Sequence, residues 1–154
     1  MTDKVIQIRV LTPADVPLFK ALLRVFGEAF EDLPTYQDAV PDDAYLKALL
    51  TRDNFIVVAA LDEGEVVGGL AAYVLDKFER VRKEIYIYDL AVRNSHRRQG
   101  IATAVIRTLQ TVAHDRGAYV IFVQADQGDT PAIRLYESLG TREDVHHFDI
   151  AVKR

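Results

Sequence analysis

The sequence predicts one domain of the α/β (α+β) class, in which helices cover a central sheet. The chain has 154 residues, a usual length for one compact domain. Segments with strand-like alternation and segments with helical spacing follow one another along it. No internal repeat, low-complexity tract or flexible linker separates them. We therefore expect a single domain spanning residues 1–154.

The first part of the chain predicts a strand followed by two helices. Residues 4–10 alternate apolar and polar side chains, as a half-buried strand does. Thr12 and Asp15 have the spacing of a capping box, which marks the start of a helix. A polar break at 32–37 follows, and Asp42 then opens a short second helix. The apolar face of the first helix comprises Val16, Phe19, Leu23, Phe26 and Phe30.

Three strands are predicted next. Residues 55–61 and 66–75 flank a turn at 62–64, which indicates a hairpin. Residues 84–92, rich in tyrosine and isoleucine, form the third strand.

The last third predicts a helix, a strand, a helix and a strand. Gly100 opens the first helix and Gly117 ends it. The continuous apolar run at 118–125 is expected for a strand covered on both faces. A cap at Thr130 begins the second helix, and residues 146–152 predict a closing strand.

Composition excludes several classes of protein and site. The absence of cysteine excludes disulfides, thiolate metal sites and a cysteine nucleophile, and it fits a reducing cytoplasm. A net charge of −4 gives no general attraction to nucleic acid or anionic lipid. The N-terminus lacks the apolar core of a signal peptide, and no apolar stretch is long enough to cross a bilayer. We expect a cytoplasmic protein with no nucleic-acid or membrane partner.

Two further expectations concern metal and assembly. His146 and His147 are adjacent on a predicted strand, so they face opposite ways, and no third ligand is spaced with them. We therefore expect no metal site. The sequence is compatible with a homodimer but does not determine the oligomeric state.

The segment with the clearest chemistry is the polar loop 93–99 and the helix start after it. Unpaired N–H groups at a helix N-terminus carry partial positive charge and suit a diphosphate. Gly100 lets the backbone approach a ligand closely, and the small Ala102 leaves the next turn clear. Arg97 or Arg98 can neutralise phosphate charge. The same spacing also fits a glycine-initiated helix with two solvated arginines.

The run from Arg97 to Ala102 resembles the R/Q-x-x-G-x-G/A pyrophosphate loop of the GNAT superfamily of N-acetyltransferases. The predicted order of elements resembles that fold from end to end. The resemblance implies a mixed, mostly antiparallel sheet that is splayed between strands four and five, with helices on both faces and acetyl-CoA in the opening. Ala102 stands where the family often has glycine, and Asp129 where many members have an asparagine near the pantetheine arm. The coenzyme-binding residues implied are Leu90, Ala91, Val92, Arg97, Arg98, Gln99, Gly100, Ile101, Ala102, Thr103 and Asp129.

Acetyl transfer from a thioester to an amine needs a neutral amine, stabilisation of the developing oxyanion, and a proton for the departing thiolate. Backbone N–H groups at a splayed strand can polarise the carbonyl. A phenol, with a pKa of roughly 10, is close enough to a thiol at roughly 8.5 to act as a general acid. Tyr136 occupies the tyrosine position of the family on the helix after the fifth strand. The alternative is a tyrosine that packs in the core.

Two carboxylates on the 84–92 strand are further catalytic candidates. Asp89 lies among apolar residues, where a carboxylate is costly to bury unless it is paired. It can bind a substrate ammonium or accept a proton, and a structural hydrogen bond is the alternative. Glu84 is the weaker candidate because it begins the strand. Alternation places the two on opposite faces unless a bulge intervenes.

Acidic residues also concentrate in the connections expected to rim the acceptor side. Each is individually explained as a solvated surface charge, but together they favour a polycation site. They are Glu28, Glu31, Asp32, Asp38, Asp126, Asp129 and Asp144.

At a finer level the sequence resembles the GNAT-type aminoglycoside 3-N-acetyltransferases. The likeness is most distinctive at 84–92, 96–103, 117–126 and 147–150, and weaker around Tyr36. It implies a gentamicin-like acceptor acetylated at the 3-amino group of its central ring, which confers antibiotic resistance. Two alternatives remain: an acetyltransferase for a polyamine or a protein amino group, and a CoA-binding protein without turnover. The acceptor-binding residues we assign are Glu28, Glu31, Asp32, Tyr36, Asp89, Asp126 and Asp144.

Overall fold

The computed structural model describes residues 5–153, and the chain divides into two units at the Gln124–Ala125 junction. The strands of the first unit are β1 (Ile6–Val10), β2 (Phe55–Asp62), β3 (Glu65–Asp76), β4 (Lys83–Val92) and β5 (Ala118–Val123). Its helices are α1 (Val16–Ala29), α2 (Leu33–Gln37), α3 (Asp43–Thr51) and α4 (Ile101–Asp115). The described part of the second unit, 125–153, contains one helix, α5 (Thr130–Leu139).

The five strands form one sheet in the order β1–β2–β3–β4–β5. Neighbours from β1 to β4 are antiparallel, whereas β4 and β5 are parallel, so the sheet is mixed and mostly antiparallel as predicted. The last pair between β4 and β5 is Ile87 with Val123. Residues 88–92 of β4 therefore extend past the pairing with β5, which ends at Val123.

A bulge interrupts β4 in its middle. Ala72 of β3 lies opposite Ile87, but the next residue, Ala71, lies opposite Asp89. Tyr88 is therefore the extra residue of a β-bulge. The bulge divides β4 into a first half, 83–87, and a second half, 89–92.

Helices cover both faces of the sheet. The face that carries Phe55 and Val57 packs against α1 and α3 in one continuous core. Residues on the opposite face of the sheet are buried beside α4, which also buries one stripe of its own. Burial of a large apolar side chain contributes about 1.5–3 kcal/mol. The fully buried side chains include Leu22, Val25, Phe26, Ile56, Val58, Leu70, Ile85 and Leu109.

The two helix starts predicted from local caps in the first unit are confirmed. The Thr12 side chain accepts a hydrogen bond from the backbone N–H of Ala14 (3.3 Å), and Asp15 accepts one from the backbone N–H of Thr12 (2.8 Å). This capping box opens a single 3₁₀ turn before α1 begins. Asp42 caps α3 by accepting from the Tyr45 N–H at 2.9 Å. Such caps satisfy N–H groups that the first turn leaves without partners.

Three predicted details are wrong. The segment at 118–125 is not covered on both faces, because Tyr119 and Phe122, which lie on opposite faces of β5, are 51% and 36% exposed. The cap of α5 is Asp129 rather than Thr130. No helix or strand forms in 141–153, so the closing strand at 146–152 is absent. Its alternation is real, but a strand also requires hydrogen bonds from a neighbour, which alternation cannot supply.

No helix within residues 5–153 is long and apolar enough to cross a lipid bilayer.

Candidate active site

The loop after β4 is anchored at its first residue, Arg93. Its backbone N–H donates to the carbonyl of Val67 at 2.8 Å. Its guanidinium contacts the carboxylate of Glu65 at 2.7 Å and that of Glu28 at 3.8 Å. A 3₁₀ turn, Asn94–His96, follows. The start of the loop is therefore held against the hairpin and α1.

The loop ends in an uncapped helix N-terminus. Gly100 adopts a left-handed conformation (φ +77°), and no side chain caps the first turn of α4. The first helical bond runs from the Ala104 N–H to the Gly100 carbonyl at 3.0 Å, so the N–H groups at 101–103 lack acceptors within the helix. A Cβ placed on Gly100 would meet no atom within 4 Å. Open space, unpaired donors and the exposed side chains of Arg97 and Arg98 fit a diphosphate.

Asp89 is hydrogen-bonded to Tyr36. The tyrosine hydroxyl donates to Oδ2 at 2.8 Å, and no other hydrogen bond between Asp89 and a described side chain is present. Burial raises the pKa of the Asp89 carboxyl, and the hydrogen bond from Tyr36 partly opposes that rise. Burial, followed by the hydrogen bond to Asp89, raises the pKa of Tyr36. The sequence predicted both residues individually but not their contact.

Tyr36 is presented by the short helix α2. Asp32 caps this helix by accepting a hydrogen bond from the Thr35 N–H at 3.3 Å. The Tyr36 ring lies 6.0 Å from that of Phe26 and 5.9 Å from that of Phe30, measured between centroids. Residues 32–37, expected only as a polar break, therefore position a residue of the site.

Three further tyrosines lie around Asp89, and sequence reasoning did not assign them. The Tyr88 ring is 5.8 Å from both Tyr73 and Tyr86, measured between centroids. Burial is the main cause that raises the pKa values of Tyr73 and Tyr86, and the charge of Asp89 adds to both. Tyr73 and Tyr88 remain 42% and 62% exposed. We call Tyr36, Tyr73, Tyr86 and Tyr88 the tyrosine cluster.

Glu84 lies on the same face of the sheet as Asp89, contrary to simple alternation. It pairs with Leu75 of β3, and the bulge brings Asp89 opposite Ala71, two steps along the same face. The Glu84 carboxylate accepts a hydrogen bond from the Tyr119 hydroxyl and lies 3.6 Å from Nζ of Lys77. Through these contacts Glu84 connects the start of β4 to Tyr119 and Lys77.

The remaining acidic candidates of the first unit have different surroundings. Glu28 is near Arg93, as described above, and Asp32 caps α2 while adding negative charge beside Tyr36. Glu31 follows α1 with a left-handed φ of +52°. Asp32 is therefore the member of this group whose charge acts on Tyr36.

The second unit contains Tyr136 on α5. Burial and, secondarily, the charge of Asp129 raise the pKa of Tyr136 to about 12, so the phenol stays protonated at neutral pH. Asp129 also caps α5 by accepting from the Ala132 N–H at 3.3 Å. Asp126 is exposed, and Asp144 pairs with Arg142 at 2.7 Å.

Comparison with known proteins identifies the family. The model of the acetyltransferase (GNAT) family matches residues 18–141. The chain belongs to the GNAT family of acetyltransferases. The open N-terminus of α4 fits a diphosphate group.

Solved structures of two aminoglycoside acetyltransferases are among those that resemble the chain over almost its whole length. One is an aminoglycoside acetyltransferase, HMB0005, from an uncultured soil metagenomic sample. It is 56% identical with a TM-score of 0.95, and the match covers 97% of this chain and 99% of that one. The other is the aminoglycoside acetyltransferase meta-AAC0020, also from an uncultured soil metagenomic sample, in complex with sisomicin. It is 36% identical with a TM-score of 0.88, and the match covers 96% and 97% of the two chains.

Human N-acetyltransferase 8B is a more distant relative. It is 34% identical over 102 residues, which are 66% of this chain and 45% of the relative. The chain thus spans less than half the length of this curated relative.

Proposed function

We propose that this acetyltransferase acetylates the 3-amino group of an aminoglycoside and so confers resistance, with residues 1–154 acting as one catalytic domain. The observation that carries the proposal is the Asp89 carboxylate, which lies among the tyrosine cluster in the part of β4 that extends past β5. The similarity to HMB0005 over nearly the whole of both chains supports the same acceptor class.

The chemistry around Asp89 suits an aminoglycoside. Such a molecule carries several ammonium groups on sugar rings, and a partly buried carboxylate attracts an ammonium more strongly than an exposed one does. Tyrosine faces add cation–π attraction of roughly 0.5–2 kcal/mol. Asp32 contributes further negative charge beside Tyr36. The other acidic residues proposed to bind the acceptor are Glu28, Glu31, Asp126 and Asp144.

Asp89 is also the favoured proton acceptor for the acceptor amine. Its pKa is raised by burial, which makes it a stronger base than an ordinary aspartate. Glu84 is the second candidate, but its carboxylate already contacts Lys77 and Tyr119. We therefore assign the base to Asp89, with Glu84 holding the first half of β4.

The proposed acetyl-CoA site follows from the second half of β4 and the start of α4. Acetyl-CoA supplies the acetyl group as a thioester. The backbone at Leu90, Ala91 and Val92 would face the pantetheine arm, and the 97–103 segment would hold the pyrophosphate through N–H groups and arginines. Asp129 is a further proposed contact to the pantetheine.

Tyr136 is the proposed donor to the departing sulfur. With a pKa of about 12 it is a weaker acid than a thiol, whose pKa is roughly 8.5. Complete proton transfer would be uphill by about 5 kcal/mol, at about 1.4 kcal/mol for each pKa unit. The Tyr136 hydroxyl therefore acts first as a hydrogen-bond donor that stabilises negative charge developing on sulfur, and transfers its proton late.

The acceptor is tested by mass spectrometry of reactions that contain acetyl-CoA and one amine each. Gentamicin and sisomicin should gain one acetyl group, and NMR of the product should place it on the 3-amino nitrogen. Spermidine and a peptide with free amines are the rival acceptors. Preferential acetylation of either one would replace the proposed acceptor, and no thiol release with any amine would support a non-catalytic CoA-binding protein.

The tyrosine cluster provides a second test at Tyr88. Tyr88→Leu removes the aromatic face, whereas Tyr88→Phe keeps it and serves as the matched control. We expect the leucine variant to raise the aminoglycoside KM about three- to tenfold, the range of a cation–π contact of roughly 0.7–1.4 kcal/mol. The acetyl-CoA KM should stay at the parent value. Equal acceptor KM values for the two variants would remove Tyr88 from the acceptor site.

A further inference from the structure

We propose that Asp62 and His96 form a positioning pair that holds the coenzyme loop in the geometry needed to bind the pyrophosphate of CoA. This inference rests on the proposed coenzyme site at 97–103. It concerns two residues that touch neither the reacting atoms nor the phosphate donors.

His96 is fixed on both sides of its ring. Nε2 lies 2.8 Å from Oδ2 of Asp62, and Nδ1 lies 2.7 Å from Oγ of Ser95. The His96 and Asp62 side chains are only 13% and 16% exposed. Because a carboxylate accepts and cannot donate, Nε2 carries the hydrogen, and the Ser95 hydroxyl serves Nδ1 as donor or acceptor in either protonation state of the ring. The ring orientation is therefore determined.

The pair connects the loop to the sheet. Asp62 is the last residue of β2, where the hairpin to β3 turns. His96 is the last residue of the 3₁₀ turn, and its backbone N–H donates to the Arg93 carbonyl at 2.9 Å. Arg93 in turn holds the start of the loop through Val67 and Glu65. The pair is thus the second anchor, placed midway between Arg93 and α4.

The loop needs this second anchor because of its backbone. Arg98 has a left-handed φ of +61°, and Gly100, two residues later, has a φ of +77°. A non-glycine residue in this conformation is strained and persists only where its surroundings hold it. Without His96 on Asp62, the segment from 94 to 99 can relax to other conformations. The donors aimed at the pyrophosphate would then be aligned in only a fraction of molecules, and coenzyme affinity would fall by that fraction.

Two substitutions of His96 form a matched pair. The amide nitrogen of glutamine reaches about as far as Nε2 and can still donate to Asp62, whereas the amide of asparagine stops near Nδ1. We expect His96→Asn to weaken CoA binding about tenfold, measured by calorimetry, because about 1.4 kcal/mol of preorganisation is lost. His96→Gln should restore most of the affinity. Hydrogen exchange of amides 94–103 in the free protein should accelerate in the asparagine variant alone.

A shortened thioester separates positioning from a general structural effect. Acetyl-pantetheine lacks the pyrophosphate, so kcat/KM with this donor should be the same for His96→Asn as for the parent, while kcat/KM with acetyl-CoA falls. Equal losses with both donors, or unchanged CoA affinity, would overturn the inference. If Gly100→Val also leaves CoA affinity unchanged, the proposed coenzyme site itself is wrong. If Gly100→Val weakens binding and His96→Asn does not, only the positioning role fails.

Discussion

The Tyr36 hydroxyl donates a 2.8 Å hydrogen bond to Asp89 from a position 53 residues earlier in the chain. The bond joins the short helix α2 to the second half of β4 at the point where β4 has passed its pairing with β5. A hydrogen bond to the ionised carboxylate favours that form, so Tyr36 sets part of the proton affinity of Asp89.

Tyr36→Phe should therefore move the acidic limb of the acceptor kcat/KM profile to higher pH. Loss of the hydroxyl removes the one interaction that lowers the Asp89 pKa and leaves the burial that raises it. The aromatic contacts of the ring are retained, so α2 should stay in place. The measurement is a pH–rate profile at low aminoglycoside concentration with saturating acetyl-CoA. A profile that superimposes on that of the parent would separate Tyr36 from the titration of Asp89.

Asp89→Asn should lower kcat/KM for an aminoglycoside about a hundredfold while acetyl-CoA affinity stays near the parent value. A role in ammonium binding alone would raise the acceptor KM. A role as proton acceptor would lower kcat and flatten its pH profile. If acceptor kinetics and pH profile both match the parent, Asp89 is structural.

The same variant should be more stable than the parent at neutral pH. Burial raises the pKa of Asp89 in the folded state above its value near 3.8 in the unfolded state. The stability that Asp89 contributes is therefore fully present below pH 3.8, and it is lost as the pH rises through the folded-state pKa. Asparagine removes that pH-dependent loss. The difference in Tm should favour the variant at pH 7 and diminish as the pH approaches 3.8, as thermal unfolding across that range can measure. If Asp89→Asn is less stable than the parent at pH 7, the pKa of Asp89 is not raised in the folded state.

Gly100 and Gly117 offer a matched pair at the two ends of α4. Both have left-handed φ values, +77° and +78°, and a Cβ on either would meet no atom within 4 Å. Valine should therefore cost similar backbone strain at both positions, of order 1–2 kcal/mol. We expect Gly100→Val to weaken acetyl-CoA binding strongly by calorimetry, and Gly117→Val to leave it unchanged at a similar Tm. If Gly100→Val and Gly117→Val bind acetyl-CoA with equal affinity, the proposed coenzyme site loses its basis.

Tyr136→Phe should lower kcat roughly a hundredfold and change the affinity of either substrate little, because the hydroxyl interaction develops with charge on sulfur. With a pKa of about 12, Tyr136 should also contribute no titration between pH 6 and pH 9, so the neutral part of the pH profile should keep its shape in the variant. Normal turnover in Tyr136→Phe would assign the residue to packing.

The features of the fold that depend only on neighbouring residues in the chain could be predicted from the sequence. The caps at Thr12 and Asp42 depend on side chains within three residues of the helix start, and both form as expected. The position of a strand in the sheet depends on distant partners, and there prediction failed. The apolar run at 118–125 did not reveal that the faces of β5 are partly exposed. Alternation at 146–152 did not supply a strand partner.

The candidate site likewise has features that depend on local sequence and features that depend on tertiary packing. The loop before Gly100 is continuous in sequence, and its open helix start is present as expected. The bond between Tyr36 and Asp89 depends on tertiary packing, and the bulge at Tyr88 leaves no local sign in the sequence. That bulge places Glu84 and Asp89 on one face and brings the tyrosine cluster together. Its effect on pairing became visible only in the register of β3 against β4.

The bulge at Tyr88 also has a consequence for evolvability. Residues 83–87 are hydrogen-bonded on both sides, by β3 and β5, and Ile85 and Ile87 among them are fully buried. Tyr73 and Tyr88 are largely exposed, and substitutions at exposed positions usually change stability by no more than about 0.5 kcal/mol. Mutational drift can therefore alter the side chains around Asp89 while the adjoining half of the same strand is held constant by selection for folding. Descendants of this chain should consequently diverge in the side chains around Asp89 sooner than in residues 83–87.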